Sequence, residues 1–512
     1  MKKIRLVIST TILSFILTVT PVLSQTIDLE QRISFVVNDK TIPEVLNKIT
    51  ELSRIRFSYS KEEIPTTKFS LTINKETVTS VLNKLSTNAN LEYRQLGNMI
   101  AIRKVKEVAV NNSYLSISGI VVDAENNEPL VFAAIGVVGK AKGTITNASG
   151  SFALTLPENF KSDTLFISMV GYRTVRMIIG EDAVDINIKM KSQPVILNEI
   201  VVTEKKIKVE DIFREIKSRL ELNYPMTDYA MECFYREIKK ENGTYRSLLE
   251  AALVISDKGY DHTKSQESGY IREVRGSSKF VNRFSTFWQE NNLLKATLGL
   301  NAVRHPSSTP NVFGKDKYQL KGTSQLNDKE VYVLVSDIME NDCWQRTLYV
   351  DVETYAIYRS EEVIKNFALS WEVENSDSVY LRLTKGISIF DFKTYNGKLY
   401  LNHIRHDVEN EYFNPLTNKI LSTFTIINDL LVNDIYENST ASVEGLRKME
   451  NYALELQVTP YNAEFWKHYN FITQTPLEAE VMKDLAEKKT LNDQFVESGA
   501  PSRKSNSKKK NH

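Results

Sequence analysis

The side chains able to carry chemistry are few in this chain and far apart. Six histidines and two cysteines are spread over 512 residues. His406-Asp407-Val408-Glu409 sets an imidazole and a carboxylate three positions apart, a spacing that converges on one metal ion when it lies on a helix. Tyr400–Glu409, however, reads as a strand, in which positions i and i+3 point to opposite faces. Only His468 and His512 lie beyond it, and no third ligand is in view. Glu361-Glu362 reads as a pair at a strand edge rather than an acid/base couple. Trp288, Trp344, Trp371 and Trp466 either line a ligand groove or fill a core, and the core reading is preferred. The sequence holds no H-E-x-x-H, C-x-x-C, G-x-S-x-G or G-x-x-x-x-G-K motif. No catalytic, cofactor-binding or metal-ligating residue is therefore assigned, no cofactor is implied, and a non-enzymatic protein is expected.

Composition narrows the classes further. A hydrophobic share of 42% with 25% charged residues is that of ordinary globular protein. A net charge of +1 provides no field that would favour nucleic acid. The length suits three or four domains. Cys233 and Cys343 either pair in an oxidising compartment or stay as two buried thiols, and the sequence leaves both open.

The elements that must position these residues begin with an export signal. Lys2, Lys3 and Arg5 precede an apolar run from Leu6 to Val19, and Val22-Leu23-Ser24 closes it. Residues 1–24 read as a secretory signal peptide cut between Ser24 and Gln25. The run is too short and too rich in Thr and Ser for a membrane span. The alternative is an uncleaved N-terminal anchor. No cysteine stands at the cleavage point to carry a lipid. No later stretch is apolar enough to cross a membrane as a helix, and the strands do not suit a closed outer-membrane barrel. The expected location is the periplasm or the outer membrane's periphery.

Residues 28–105 contain an internal repeat. Thr41–Ile49 (TIPEVLNKI) matches Thr77–Leu85 (TVTSVLNKL), with Val37-Asn38 against Ile73-Asn74 on one flank and Ile55–Phe57 against Leu91–Tyr93 on the other. Each unit reads strand, helix, strand. Ile42, Val45, Leu46, Ile49 and Leu52 form one helical stripe, and Val78, Val81, Leu82 and Leu85 form the second. Thr41 and Glu44 make a capping box. Two helices on one small sheet are expected. This two-fold pattern resembles the secretin and TonB N-terminal short domain. The resemblance implies a periplasmic docking module whose partner is an envelope protein, such as an anti-sigma regulator or an outer-membrane complex.

Residues 115–190 carry short strands separated by turn signals, which argues a β-sandwich. Gly119-Ile-Val-Val-Asp123, Glu128-Pro-Leu130, Gly143–Phe152 (GTITNASGSF) and Ser168–Tyr172 follow one another, with Asn147 and Gly150 supplying turn chemistry. These strings resemble the carboxypeptidase-regulatory-like domain, which implies a seven-stranded transthyretin-like sandwich that accompanies carboxypeptidases and has no peptidase chemistry of its own. Asn147 and Ser149 stand where acidic residues are common, which argues against a cation site. Leu197–Thr203 in the following linker, 191–206, reads as an edge strand or as a TonB-contacting strand.

Residues 207–497 read as a larger α+β domain rich in antiparallel strands. Val209, Ile212, Phe213, Ile216 and Leu220 make a helix that Pro225 ends. Strands are expected at 231–238, 245–255, 318–320, 331–336, 347–352, 356–363 and 420–427. Glu353-Thr354 and Asn396-Gly397 read as hairpin turns, the latter of type I′. Phe280, Phe284, Phe287 and Trp288 form an aromatic stretch. Leu348–Tyr358 resembles the open sheets of lipoprotein-carrier folds. Phe465–Asn470, Thr475–Glu478 and Asp493–Phe495 resemble Bacteroidetes carboxypeptidase-like-regulatory-domain proteins that lack a receptor barrel. A last helix is capped by Thr475, Pro476 and Glu478, and residues 498–512 form a basic, disordered tail. The whole reads as multidomain α+β: a βαβ-repeat domain, a seven-stranded sandwich and a large antiparallel sheet with flanking helices. The expected role is docking or scaffolding in the envelope. The alternative is a carrier or sensor that holds an apolar ligand such as a lipid in the C-terminal sheet.

Overall fold

The computed structural model describes residues 28–498, apart from 61–63, 65–67, 90, 97–98, 105–113, 181–184, 194–206, 261–266, 278–290, 302, 304–316, 339–343, 366–369, 374–377, 438–441, 473–483 and 486–488. The expected signal peptide, Leu197–Thr203, the Phe280–Trp288 stretch, Cys343, the expected Thr475 cap and the expected basic tail beyond Ser498 lie outside the described residues. The chain divides into two compact units, Met1–Asn112 and Ser113–His512.

The first unit follows the repeat. Its elements are β1 (Arg32–Thr41), α1 (Ile42–Ser53), β2 (Arg56–Ser58), β3 (Lys68–Thr77), α2 (Val78–Ala89), β4 (Leu91–Leu96) and β5 (Met99–Lys104). The capping box forms as expected: the Glu44 carboxylate accepts the Thr41 backbone N–H at 2.8 Å. Ile42, Val45, Leu46 and Ile49 are buried, but Leu52 is exposed and Ser53 takes the inward position. At about 100° per residue, position i+11 returns to within about 20° of the stripe, whereas i+10 falls about 80° off it. The strands form two sheets, not one. β1 pairs antiparallel with β3, the first strands of the two repeats. β2 lies parallel to β5, which pairs antiparallel with β4. Both helices share one core with these strands.

The second unit begins with seven strands, β6 (Tyr114–Asp123), β7 (Ala134–Val137), β8 (Gly143–Ile145), β9 (Ser151–Pro157), β10 (Thr164–Ser168), β11 (Val175–Ile178) and β12 (Ile186–Met190). They form a four-stranded sheet, β11-β10-β7-β8, and a three-stranded sheet, β12-β6-β9, around one core. The motif residues have structural reasons. A Cβ on Gly119 would stand 2.2 Å from the Ile186 carbonyl oxygen, so only glycine admits the parallel strand β12. Gly150 has φ +72° in the turn that Asn147 organises. Tyr172 donates its hydroxyl to Asp123 at 2.9 Å, which ties the two ends of the motif together.

The remaining elements are α3 (Val209–Ser218), α4 (Leu220–Asn223), β13 (Tyr229–Glu241), β14 (Thr244–Asp257), β15 (Ser268–Gly276), α5 (Leu293–Leu298), β16 (Tyr318–Leu326), β17 (Lys329–Ser336), β18 (Trp344–Asp351), β19 (Ile357–Ile364), β20 (Ser370–Glu372), β21 (Tyr380–Tyr395), β22 (Lys398–Phe413), β23 (Ile420–Tyr436), β24 (Arg447–Lys448), α6 (Ala463–His468) and α7 (Leu491–Ser498). One twelve-stranded sheet runs in the order β16-β17-β18-β19-β21-β22-β23-β13-β14-β15-β24, with β20 on β21. Its strand pairs are antiparallel. Asn396 and Gly397 both take positive φ in the β21–β22 turn, as a type I′ hairpin requires. Alternate residues of β13 and β14, including Met231, Tyr235, Leu249 and Leu253, join Ile212 and Ile216 of α3 and Leu294 and Leu298 of α5 in the largest core. Among the described residues no helix is long and apolar enough to cross a membrane.

Leu46 is 1% exposed at the centre of the first unit's core. Leu46→Ala is expected to lower that unit's stability by about 2–5 kcal/mol. Hydrogen exchange on the whole chain checks this: protection should fall in α1 and α2 and persist in β13 and β14.

Candidate functional site at the sandwich and sheet junction

Opposite its largest core, the big sheet carries charge where a buried face would ordinarily be apolar. Strand register puts Arg275 of β15 opposite Glu250 of β14, Glu250 opposite Arg236 of β13, Arg236 opposite Asp429 of β23 and Asp429 opposite Arg405 of β22. Two residues along β22, His403 lies opposite Asp391 of β21, and Asp391 lies opposite Arg359 of β19. The signs alternate across seven neighbouring strands. Glu250 accepts from Arg236 Nε at 2.9 Å and from Arg275 Nε at 2.8 Å. Asp429 accepts from Arg405 Nη1 at 2.7 Å and lies 3.3 Å from His403 Nε2. Asp391 accepts from Arg359 Nη1 at 2.7 Å and lies at ion-pair distance, 3.7 Å, from His403 Nδ1.

The sandwich and the C-terminal segment close over this ladder. Phe132 of the sandwich stacks on His403 with ring centroids 5.8 Å apart, and the Arg405 guanidinium lies 4.9 Å from the Phe132 ring centre. Phe132 has φ +61°, a costly conformation for a bulky residue. Thr146 holds the loop there, accepting from the Phe132 and Ala133 amides and donating to the Leu130 carbonyl. On the other flank Arg275 sits 4.1 Å from the Trp466 ring, and Arg236 Nη2 donates to the Ile472 carbonyl at 3.0 Å. Asn470 accepts the Thr155 N–H at 2.7 Å and donates to its carbonyl at 2.9 Å, and its own carbonyl accepts from Asn433. Ile145, Phe234, Leu431, Trp466 and Ile472 then form an apolar cluster that draws on sandwich, sheet and C-terminal segment together.

The ladder determines protonation. Burial works against charge on Glu250, yet Arg236 and Arg275 outweigh it and hold its pKa below the ordinary value. Burial also opposes charge on Asp429, but Arg405 and His403 bring its pKa down to about 2. On His403 burial is again the largest effect, but Asp391 and Asp429 outweigh it and raise the pKa. Three residues on, His406 faces the other side of β22, against Ser388 and Trp344, and burial depresses its pKa to about 4.

Beside the ladder a cavity of about 460 Å³ opens between the sandwich and the sheet. Lys140, Lys142, Arg176, Lys329 and Lys393 contribute to its wall, and among the described residues no Asp or Glu does. Lys393 donates to the carbonyls of Ala141 at 2.6 Å and Val432 at 2.7 Å, one on the sandwich and one on the sheet.

The residues singled out in the sequence have diverse fates. His406 and Glu409 lie on one strand, as its alternation implied. Among the described residues no three His, Cys, Asp or Glu side chains are grouped to hold a metal ion. Glu361 and Glu362 are not at a strand edge. They lie in β19 between β18 and β21, where Glu361 pairs with Arg359 at 2.6 Å and buried Glu362 pairs with Arg346 at 3.0 Å. The expectation failed because strand order in a sheet is not local. Trp466 is core, Trp344 is half-buried and Trp371 is exposed. Cys233 is a free, buried thiol, and burial pushes its pKa well up. The ladder itself was missed. The available signal was charge inside apolar strands, as in Met231–Lys240 (MECFYREIKK) and Arg246–Ile255 (RSLLEAALVI).

Glu250→Ala would leave two buried guanidinium groups without their shared carboxylate. It is expected to cost about 3–5 kcal/mol, read from urea unfolding. The two histidines of β22 should titrate in opposite directions by NMR. His403 stays protonated above the ordinary histidine range, so its stabilisation is present below about pH 6.5 and lost as pH rises through its raised pKa. His406 stays neutral down to about pH 4, so its contribution is present above the unfolded value and lost as pH falls through about 4.

Comparison with known proteins gives two segment matches. Residues 117–202 match the family model described as CarboxypepD_reg-like domain. Residues 34–102 match the model described as FecR, C-terminal, where the repeat had suggested the secretin and TonB short domain. No curated protein matches the chain. Among solved structures, an outer membrane lipoprotein-sorting protein domain from Vibrio parahaemolyticus is similar at 13% identity, with 44% of this chain and 90% of that one covered and a TM-score of 0.20. A LolA superfamily protein from Nitrosomonas europaea gives 12% identity, 45% and 95% coverage and a TM-score of 0.17. MucB of Pseudomonas aeruginosa, in complex with MucA, gives 10% identity, 48% and 99% coverage and a TM-score of 0.15. At this level of overlap none of the three bears on fold or function.

Proposed function

We propose that this protein is a non-enzymatic component of the bacterial envelope that docks a partner protein through its first unit and uses the second as a scaffold. The observation that carries this reading is the packing on both faces of the large sheet around β13, β14 and β23. One face packs on α3 and α5, and the other is covered by the sandwich and the C-terminal segment. A carrier of apolar ligands needs an open apolar groove, whereas this central part of the sheet is packed on both sides and the cavity toward its other strands is lined with lysine and arginine.

Docking falls to the first unit because its sheets are short and edged. β1 and β3 form a sheet of two strands only, so each has an outer edge without a strand partner among the described residues. Val36 on β1 is 62% exposed. Such an edge accepts an extended peptide as an added strand, with main-chain hydrogen bonds for affinity and alternate side chains for selectivity. The export signal and the resemblance to periplasmic docking modules support a partner in the periplasm or at the outer membrane.

Native mass spectrometry of the mature protein isolated from its own envelope tests the proposal. A bound protein mass that is lost in Val36→Glu is expected, because a charge on an exposed edge blocks strand addition without touching the core. A bound mass in the lipid range, unaffected by Val36→Glu, would overturn docking in favour of the carrier.

A further inference from the structure

The basic cavity between sandwich and sheet has a charge balance of its own. Of its five cations, Lys142 is neutralised by Asp434 at 2.6 Å, Arg176 by Asp328 and Lys329 by Asp351 at 2.9 Å, all carboxylates outside the wall. Lys140 and Lys393 remain. Lys140 is exposed and has no ion-pair partner among the described residues, its ammonium lying 5.8 Å from the Phe160 ring. Lys393 spends two of its three donors on the Ala141 and Val432 carbonyls, which position the ammonium without cancelling its charge.

The geometry points to a binding site in this cavity for a small phosphate monoester, held by Lys140 and Lys393. A phosphate monoester brings a charge of about −1.5 to −2 and three acceptor oxygens, which answers the exposed Lys140 ammonium and the protonated form of Lys393 together. A single carboxylate would leave one cation unanswered. A volume of about 460 Å³ suits a compact ligand and is too small for a length of nucleic acid. Phe166 adds an apolar wall for the body that carries the phosphate. The site is independent of the docking edge on β1, and its ligand would bridge the sandwich and the sheet.

Lys393 gives the test a distinctive readout. Burial is the largest influence on it and, with nearby Lys142 adding to the effect, outweighs Asp434 and Cys233 and brings its pKa down to about 7. At pH 8 it is mostly neutral, while a phosphate monoester with a second pKa of about 6 is a dianion. Binding must then recharge the amine and draw a proton from solution.

Titration calorimetry of the full mature chain with phenyl phosphate at pH 8, in two buffers of different ionisation enthalpy, measures this directly. One saturable site with net proton uptake is expected. Lys393→Met should abolish the uptake and weaken binding about tenfold or more. Lys140→Ala, at an exposed position that leaves the fold intact, should weaken binding and keep the uptake. Phosphatidylcholine vesicles containing phosphatidate provide a second arm. Sedimentation with them in the absence of phenyl phosphate binding would move the site to a lipid headgroup and overturn the soluble ligand. No saturable binding of phenyl phosphate or inorganic phosphate, or binding that Lys140→Ala leaves unchanged, would overturn the site altogether.

Discussion

Everything in the second unit is arranged around the need to neutralise buried charge on one face of a wide sheet. Withdrawing an ion from water costs several kcal/mol even after relaxation, and only close partners of opposite sign offset it. Here strand register supplies the partners. Arg275, Glu250, Arg236, Asp429 and Arg405 stand directly opposite one another, and His403, Asp391 and Arg359 continue the alternation. A slip of one residue between any two of these strands would turn a partner to the other face. The ladder therefore enforces register as well as absorbing charge. It also favours the protonated form of His403, because the Asp391 and Asp429 carboxylates that flank the imidazole outweigh its burial.

The same ladder explains why the sandwich and sheet form one compact unit. Charges paired across strands still present carbon faces and spare donors outward. Phe132 supplies a ring for His403 and Arg405, Trp466 supplies one for Arg275, and the Ile472 carbonyl takes a spare Arg236 donor. The positive φ at Phe132 is the conformational cost of reaching that position. Asn470 bonds to a sandwich strand through its side chain and to the sheet through its carbonyl, so the Phe465–Asn470 string joins the two parts. A junction built this way favours a fixed relation between domains, which is what a scaffold requires. The basic cavity follows from it, since the cavity's walls come from both parts.

In the proposed reading, function divides along the boundary between the units. The first unit has short sheets with open edges and a small core around two helices, which suits recognition by strand addition. The second has its sheet faces occupied and its charge paired. In that reading partner recognition and mechanical support make different demands on the chain, and each falls to a separate unit.

Local features were legible in the sequence because their causes lie within a few residues. The Thr41–Glu44 capping box, the α1 stripe as far as Ile49, the α2 stripe, the Asn396-Gly397 turn and the sandwich's Gly150 all depend on backbone preference or periodicity, and each appears where it was expected. Strands such as β15 and β21 escaped notice because their charged residues look solvent-facing until a partner from a distant strand is known. Arg275 pairs with Glu250 on the next strand, and Arg272 reaches Glu232 two strands away. Leu52 was placed inside because it is apolar, but helix geometry turned it outward and brought Ser53 in. Glu361 and Glu362 were placed at an edge because adjacent carboxylates suggest one, but strand order put them between two neighbours. Sequence by itself determined the repeat, the strand-rich character and the turns, because these arise from near neighbours. Tertiary structure alone decided which charges are buried, what protonates them, which tryptophans are core and where a cavity opens, because each depends on the register of strands far apart in the chain.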